Sequence, residues 1–213
     1  MQNYKHLADS VKISSDTGNT ALLGFSKQLT LIGQGRSAYV FKIQGSNKVL
    51  KVFFPELSYI AHEEAEIYKQ LKHLTYFPKF YAEGPNYLVI DFIKGKTLFE
   101  CLSEGILITD QHIKEIDMAL RLAKLEGLNP SDIHLKNIFL TDEGEIKIID
   151  VARFRQTKEC YQWNDIKWAF YRWYMRRFFP KKIPVPVLNA ISAIYKKKLQ
   201  SKWHLRAQVV KQK

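Results

Sequence analysis

The sequence predicts an α+β fold arranged in two lobes, and three observations lead to this prediction. Alternating apolar and polar residues, typical of antiparallel strands, run through residues 29–93 around one helical stretch. Apolar residues at spacings of three and four, typical of helices, prevail from residue 94 onwards. A hydrophobic content of 46% supports a packed core and excludes a disordered chain. Strands followed by helices is the order expected of an α+β protein.

The first lobe is predicted to be an antiparallel sheet with a glycine-rich first turn. Residues 1–28 carry scattered Ser, Asp, Gly and Asn without a clear period, so we expect an N-terminal extension of loop and short elements. Residues 29–52 are typical of three strands, with GQG and GSN as their turns. Residues 76–93 add two short strands around the turn GPN.

A helix is predicted over residues 57–74, between the third and fourth strands of this sheet. One of its faces is apolar except for a single glutamate, and it consists of Ile60, Glu64, Ile67, Leu71 and Leu74. Because a carboxylate on a buried face needs a partner, this glutamate requires a nearby cation.

The second lobe is predicted to be mostly helical. The tripeptide KGK links it to the first lobe, and TLFECL begins a short helix. Asp110 is expected to cap a longer helix that stops at Gly127. The apolar stripe of that helix comprises Ile113, Ile116, Leu120 and Ala123. The segment NIFLTDEGEIKII then predicts a hairpin whose turn is DEG.

The chain is expected to be irregular from Asp150 to about Cys160 and helical over residues 162–179 and 185–209. The aromatic positions of the first of these helices form two stripes, which predict a buried helix that is apolar nearly all round. Aromatic stacking on nucleic acid is the alternative for the same residues.

The net charge of +12 lies entirely in the last part of the chain. Residues 1–165 hold 20 Lys and Arg against 21 Asp and Glu, whereas the residues after Asp165 hold 13 Lys and Arg and no acid. This asymmetry favours an anionic partner for the C-terminal segment: a membrane surface, RNA or an acidic protein. A solvated basic helix is the alternative.

Composition excludes several other classes of protein. No apolar run is long enough to cross a membrane, and the polar beginning MQNYKHLADS is not a signal peptide. Cys101 and Cys160 are far apart and are expected to be reduced, and no Cys/His spacing suits zinc. We therefore expect a cytoplasmic protein, with peripheral attachment to a membrane as an option through the basic segment.

The turn between the first two strands has the composition of a phosphate-binding loop. Gly33, Gly35, Ala38 and Val40 follow the pattern G-x-G-x-x-A-x-V. Glycines here would let backbone N–H groups approach phosphate without obstruction by a Cβ atom. An ordinary glycine-containing hairpin is the alternative. A dinucleotide fingerprint is disfavoured because a strand, and not a helix, follows.

Lys51 lies among apolar residues in the third strand, VLKVFF. An ammonium group buried there needs an anion, either phosphate oxygens or a carboxylate. Glu64, on the buried face of the following helix, is the natural candidate. The alternative is a lysine on an edge strand that reaches solvent.

Three further polar residues surround the predicted hairpin. Asp132 and Asn137 are spaced D-x-x-x-x-N before its first strand, and Asp150 ends its second strand. Carboxylate and amide oxygens at Asn137 and Asp150 suit Mg²⁺, and Asp132 would accept the proton of a substrate hydroxyl. Alternatively, Asp132 is a cap and Asp150 is a turn residue.

In this order, these motifs resemble the protein-kinase-like superfamily over residues 29–178, and they are most similar to small bacterial serine/threonine protein kinases. The resemblance implies an ATP- and Mg²⁺-dependent enzyme with catalytic Asp132, Lys51 and Glu64. It implies nucleotide binding by Gly33, Gly35, Val40, Lys51, Asp91 and Ile93, and metal binding by Asn137 and Asp150. It also implies that Ile90 is the gatekeeper, that residues 91–93 are the hinge that meets adenine, and that Asp165 braces the catalytic loop. The resemblance divides the chain into an N-terminal extension (residues 1–28) and a kinase N-lobe (29–93). A reduced kinase C-lobe (94–179) and a basic C-terminal helix (180–213) follow.

The chain departs from the protein-kinase pattern on the acceptor side. Pro130-Ser131-Asp132 replaces H-R-D, and Asp150-Val151-Ala152 replaces D-F-G. Only 14 residues separate Asp150 from Asp165, which is too short for a full activation segment. His134 lies in D-I-H-L-K-N, which resembles the catalytic loop of aminoglycoside phosphotransferases.

Three functions therefore compete. The leading hypothesis is a phosphotransferase that uses ATP and Mg²⁺ and acts on serine or threonine of a protein. A kinase acting on a small molecule or sugar is the second, favoured by His134 and the short activation segment. A pseudokinase scaffold that binds nucleotide is the third, although a scaffold has no need of Lys51, Asp132, Asn137 and Asp150 together.

Overall fold

Antiparallel sheets and several helices make up the protein, as seen in a computed structural model that describes residues 4–16, 19–195 and 197. The predicted α+β class is confirmed. The largest sheet has five strands in the order β3-β4-β5-β7-β6. These strands are β3 (Leu29–Gln34), β4 (Ala38–Ile43), β5 (Lys48–Phe53), β6 (Phe80–Gly84) and β7 (Tyr87–Asp91). They match the five strands predicted from alternation.

One face of this sheet is covered by helix α2 (Tyr59–Gln70), which packs on β5, β6 and β7. A short 3₁₀ turn at Pro55–Leu57 precedes it. The helix ends four residues before the predicted Leu74, because the chain turns at Leu71 and leaves the helical conformation. Glu64 and Ile67 are fully buried on the predicted face, and this burial sets the carboxylate beneath the sheet.

The opposite face of the sheet is covered by the N-terminal segment. Helix α1 (Tyr4–Asp9) precedes a hairpin of β1 (Lys12–Asp16) and β2 (Asn19–Gly24). Leu7 and Val11 are buried against alternate side chains of the sheet such as Phe41 and Leu50. Because successive residues of a strand point to opposite faces, Val49 and Phe53 belong instead to the cluster under α2. Residues expected to be mainly loop thus complete a second hydrophobic core.

The rest of the chain is built on a small three-stranded sheet in the order β10-β9-β8. Its strands are β8 (Gly95–Thr97), β9 (Ile138–Thr141) and β10 (Ile146–Ile148). The β9–β10 hairpin is confirmed, with Gly144 at φ 85° in its turn. The prediction that KGK is a linker is wrong for its last two residues, because Gly95 and Lys96 pair with β9.

Helices α3 (Leu98–Glu104) and α4 (Asp110–Leu125) pack on this sheet. All four residues of the predicted α4 stripe are buried. The cap of α4 is Thr109, and not Asp110 as predicted: the threonine has an extended backbone and its Oγ1 accepts a bond from His112 N. Asp110 is the first helical residue, and its carboxylate binds Lys114 and Tyr171.

The predicted helix over residues 162–179 is shorter and changes its pitch. Helix α5 (Gln162–Ala169) continues as a π-helical turn over Phe170–Tyr174, closed by a 3.0 Å bond from Met175 N to Phe170 O. A π turn contains about one residue more than an α-helical turn. The next buried residue after Phe170 is therefore Tyr174, and Trp173 is 46% exposed.

The aromatic segment is consequently buried on one side only, and the prediction that it is buried nearly all round is wrong. Trp163, Phe170 and Tyr174 are buried, whereas Trp168 and Tyr171 are exposed. A further helix covers residues 185–195. Its predicted continuation to residue 209 lies outside the described residues, except for Lys197.

Candidate active site

A cleft of about 590 Å³ lies between the five-stranded sheet, helix α2 and the loops that flank the β9–β10 hairpin. Its volume is in the range usual for sites that bind small molecules and cofactors. Nine of the ten residues predicted for the site line it, together with residues 36–38 of the glycine-rich turn: Gly35, Val40, Lys51, Glu64, Asp91, Ile93, Asp132, Asn137 and Asp150. Gly33 does not line the cleft.

Lys51 is at the centre of the polar end of the cleft. Its Nζ lies 2.6 Å from Glu64 Oε2 and 3.0 Å from Asp150 Oδ1. Strand β5 brings it inward and helix α2 presents Glu64, which is 1% exposed in its side chain. The alternative of a lysine reaching solvent is excluded, since only 12% of its side chain is exposed. Three residues separated by up to 99 positions thus meet at one ammonium group.

The three charges shift one another's pKa values. Burial alone would lower the pKa of Lys51, but the two carboxylates together outweigh burial and raise it. Burial raises the pKa of Glu64 to about 6, against the opposing effect of Lys51. The pKa of Asp150 is lowered, mainly by Lys51. At neutral pH the group is therefore a lysine cation between two carboxylates, one of which is close to protonation.

Asp132 and Asp150 share a special backbone geometry. Both have φ of 60°, and they are the non-glycine residues with positive φ in the described part of the chain. Asp and Asn tolerate this left-handed conformation better than most residues, yet it remains uncommon and clusters at functional sites. The conformation aims both carboxylates into the cleft from separate loops.

The loop that carries Asp132 is fixed by side-chain bonds to the backbone. Asn129 Nδ2 donates to the carbonyl oxygens of Gln156 and Lys158, and the buried Ser131 donates to Asn129 O. Asn137 Nδ2 donates to Asp132 O at 3.1 Å. This last bond fixes the orientation of the Asn137 amide and leaves its Oδ1 available to a ligand.

Two arginines that the sequence did not single out bind Asp132. Arg36 Nη2 lies 2.8 Å from Asp132 Oδ2, and Arg153 Nε lies 3.5 Å from the same oxygen. Arg36 comes from the turn between β3 and β4, and Arg153 follows Asp150 by three residues. For Arg36, the only feature of the sequence that indicates a role in the site is its position directly after Gly35 in the turn. No feature of the sequence indicates such a role for Arg153.

The glycine-rich turn is closed by a 2.8 Å bond from Gly35 N to Ala38 O. Gly33 lies within β3, opposite Val40. A Cβ atom added at either glycine would meet no protein atom closer than 3.6 Å, and neither glycine has positive φ. The fold itself therefore does not require glycine at these two positions.

The other end of the cleft is apolar. Ile90, at the end of the sheet, faces it together with Val40 and Val49, while Phe139 and Ile149 close it from the hairpin side. The side chain of the neighbouring Asp91 is turned to other partners: it accepts from Lys79 N and from the Tyr81 hydroxyl. A flat apolar group can therefore enter beside the backbone of residues 91–93.

The donor set suits a nucleotide and a hard cation. Glu64 Oε1 is buried without a hydrogen-bond partner in the described residues, and Asp150 Oδ2 is not engaged by the Lys51 bond. Oxygen ligands from Asn137 and Asp150 are the kind that Mg²⁺ prefers. One cleft thus combines an apolar slot, a lysine, the amide and carboxylate oxygens of Asn137 and Asp150, and the carboxylate of Asp132.

Asp165, by contrast, has a different partner from the one predicted. Its carboxylate accepts a 2.6 Å bond from the Tyr195 hydroxyl of the C-terminal helix and lies at the surface. Both residues line a second groove of about 490 Å³, which also contains His134 and Trp168. Asp165 therefore joins two helices at a groove that residues 134–136 of the loop also line, and Asn129 holds the loop by hydrogen bonds.

Comparison with known proteins gives related sequences, although no family model matches the chain. The chain is 49% identical over 174 residues to "Putative serine/threonine-protein kinase YrzF" of Bacillus subtilis (strain 168), covering 81% of each. It is 32% identical over 170 residues to ribosomal protein S6 kinase alpha-2 of Mus musculus, covering 68% of this chain and 23% of the kinase. Ribosomal protein S6 kinase alpha-3 of Homo sapiens is 32% identical over 148 residues and is covered to 20%.

Proposed function

The chain belongs to the protein-kinase-like superfamily, and from this premise we propose that it is an ATP- and Mg²⁺-dependent phosphotransferase that acts on serine or threonine of a protein. The observation that carries the proposal is the convergence of Lys51, Glu64 and Asp150 within 3.0 Å at one end of the cleft. Phosphoryl transfer needs a cation for the phosphates, oxygen ligands for metal and a base, and these groups supply them.

The proposed roles follow from where each group lies. The apolar slot beside residues 91–93 receives adenine, and Gly35 and Val40 cover the phosphates. Lys51, oriented by Glu64, holds the α- and β-phosphates. Asn137 and Asp150 hold Mg²⁺, which neutralises charge on the phosphate oxygens when bound.

Asp132 is the proposed general base. Its carboxylate accepts the proton of the acceptor hydroxyl as that oxygen bonds to the γ-phosphorus and the bond to ADP breaks. The left-handed backbone and the bond from Asn137 hold the carboxylate at the mouth of the cleft. Positioning and charge stabilisation supply most of the catalysis.

We propose the two-lobed kinase arrangement as the frame for this site. Residues 29–93 are the N-lobe and residues 94–179 a reduced C-lobe, with residues 1–28 as an extension and 180–213 as a basic C-terminal segment. The segment between Asp150 and Asp165 acts as a shortened activation segment. Because Ser131 replaces the arginine that normally receives an activation-loop phosphate, phosphorylation of this segment is not the switch.

A kinase for a small molecule or sugar is the second candidate. The short segment after Asp150 leaves less chain for docking a peptide, and this observation favours a compact acceptor. His134, which shares the D-x-H-x-x-N pattern, lines the second groove, and its charge contributes to lowering the pKa of Asp150. The histidine therefore lies near enough to the proposed metal ligand to influence it electrostatically.

Labelled ATP supplies the test between these candidates. The purified chain is incubated with γ-labelled ATP, Mg²⁺ and a lysate of a bacterial cell, and label is followed into protein and into small metabolites. We expect label on protein serine or threonine. Label confined to metabolites favours the second candidate, and nucleotide binding without any transfer favours the pseudokinase.

The Asp150→Asn variant tests the assignment of the metal ligand. Asparagine tolerates the left-handed backbone of this position, so the fold should persist while the proposed metal ligand loses its negative charge. We expect transfer to fall by at least about a hundredfold, the scale seen when one charge-stabilising group is removed. Asp142→Asn, in the exposed hairpin turn, is the control. An unchanged rate in Asp150→Asn would remove Asp150 from the site.

We also propose that the cation-rich segment after Asp165 attaches the protein to an anionic membrane surface. Exposed tryptophan and isoleucine side chains accompany its lysines and arginines, a combination suited to the interface of lipid and water. RNA and an acidic protein are the alternatives, because the same charges would bind either of them.

A further inference from the structure

Two guanidinium groups converge on one carboxylate oxygen of the proposed base, Asp132. Arg36 and Arg153 both lie within 3.5 Å of Asp132 Oδ2, yet they come from separate elements, the β3–β4 turn and the chain after Asp150. They line the same cleft as Asp132. An acceptor hydroxyl that reaches this carboxylate therefore arrives beside two cations.

Both arginines are available to a ligand. Their side chains are 75% and 53% exposed, for Arg36 and Arg153 respectively, whereas that of Asp132 is 20% exposed. Ion pairs at such exposure are weak, since water competes for both partners. A ligand with its own anionic group can therefore bind the arginines in place of Asp132 at a small cost in free energy.

The other cation that lines the cleft is already committed in the proposed mechanism. Lys51 serves the phosphates, and Asp150 serves the metal. Arg36 and Arg153 remain on the side from which the acceptor arrives. An acceptor hydroxyl that displaces them leaves two guanidinium groups without an anion, unless the acceptor brings one.

We propose that the acceptor of this enzyme carries an acidic group, a carboxylate or phosphate, next to the hydroxyl that is phosphorylated. Arg153 binds that group, and Arg36 closes over it from the glycine-rich turn. A basic acceptor is rejected by the same two cations. This inference rests on the proposed function, and it adds a substrate class to it.

The first measurement needs no chemistry. Two pools of fluorescent peptides carry alanine in place of the acceptor serine and differ only in having Asp or Lys at the flanking positions. Their binding to the protein is measured by fluorescence polarisation in the presence of Mg²⁺ and a non-hydrolysable ATP analogue. We expect the Asp pool to bind at least about tenfold more tightly, the scale of one charge-assisted hydrogen bond. Equal binding of the two pools would overturn the inference.

Charge reversal then locates the effect. In Arg153→Glu we expect the preference to disappear or turn towards the Lys pool. Arg155→Glu is the matched control, because Arg155 is an exposed arginine two residues further along the same segment and does not line the cleft. An Asp preference that survives Arg153→Glu, or that Arg155→Glu abolishes equally, contradicts the assignment to Arg153.

Transfer to the serine-containing pools separates this inference from the proposed function. Preferred transfer to the Asp pool, mainly through a lower KM, supports both. Charge-selective binding without any transfer leaves the anion site in place and counts against the protein-kinase function. Transfer without a preference for acidic peptides supports the function and overturns the anion site.

Discussion

The ammonium group of Lys51 is shared between two carboxylates with different surroundings. Glu64 is enclosed by protein, whereas 47% of the Asp150 side chain is exposed towards the cleft. Burial disfavours the ionised form of Glu64 and raises its pKa to about 6, while Lys51 keeps the pKa of Asp150 low. Acidification therefore weakens the link that orients the lysine before it affects the proposed metal ligand.

Nucleotide affinity should fall as the pH drops through about 6, because protonated Glu64 no longer holds Lys51 by charge. Glu64→Gln should bind the nucleotide about tenfold more weakly at pH 7.5 and should lack this inflection. The measurement is the Kd of an ATP analogue with Mg²⁺ from pH 5 to 8. Glu143→Gln, in the exposed turn of the β9–β10 hairpin and outside the cleft, is the control and should keep the wild-type profile.

Unfolding does not account for this expected loss of affinity. The folded pKa of Glu64 lies above its ordinary value of 4.5, so its contribution to folding stability is full below 4.5 and is lost as the pH rises through about 6. Acidification to pH 5.5 therefore does not destabilise the fold through this group. A thermal midpoint that falls in parallel with affinity, in wild type and Glu64→Gln alike, would contradict the assignment.

At the scale of elements, the sequence predicted the strands and helices that have a clear pattern of apolar residues within their own segment. The strands of the large sheet alternate, and α2 and α4 have clear apolar stripes, so their existence followed from residue type alone. Strand β8 was not predicted, because KGK shows no alternation of apolar and polar residues. It forms a strand through its pairing with β9. The π turn was not predicted, because the α-helical period places Trp173 on the buried side of the helix. In the structure Tyr174 is buried instead.

The same limit applies to the site. Lys51, Glu64, Asp132, Asn137 and Asp150 could be chosen because their spacing resembles a family pattern. Arg36 could not be chosen, because the contact with Asp132 spans 96 residues and exposed arginines are ordinary in turns. Asp165 shows the reverse case, since its motif was recognised but its partner is Tyr195.

Gly95 offers a test of the β8 pairing. Its φ is 142°, and a Cβ atom there would collide with the carbonyl oxygen of Leu140 on β9. Gly95→Ala should therefore lower the free energy of unfolding by roughly 1–3 kcal/mol through strain and a displaced strand. The measurement is urea unfolding.

Gly24→Ala is the matched control, because the added Cβ would meet no atom within 4 Å and the backbone has no positive φ. It should change the free energy of unfolding by less than about 1 kcal/mol. Equal stability of Gly95→Ala and wild type would contradict the close approach of β8 to β9.

At the scale of the whole molecule, charge and exposed apolar surface coincide near the C-terminal end of the described chain. Ten of the exposed large hydrophobic residues lie between residues 161 and 194, among them Phe178 at 93% exposure. No acid follows Asp165. No helix among the described residues is long and apolar enough to span a bilayer.

Binding to anionic vesicles is the expected outcome of this arrangement. About six cations at roughly 1 kcal/mol each would suffice for docking on an anionic surface, and the interaction would weaken with salt. The full chain should co-sediment with vesicles of phosphatidylcholine and phosphatidylserine, and not with phosphatidylcholine alone. Equal binding to both kinds of vesicle, or to neither, would contradict the proposal.

The apolar part of this attachment can be separated from the charge. Ile194→Asp removes an exposed side chain of the C-terminal helix, and Leu125→Asp removes a similarly exposed one at the end of α4. Because both variants lose one unit of net charge, only the position differs between them. We expect Ile194→Asp to reduce vesicle binding severalfold and Leu125→Asp to leave it nearly unchanged. Equal losses in both would indicate attraction by net charge alone, and tight binding of RNA without vesicle binding would indicate that nucleic acid is the anionic partner.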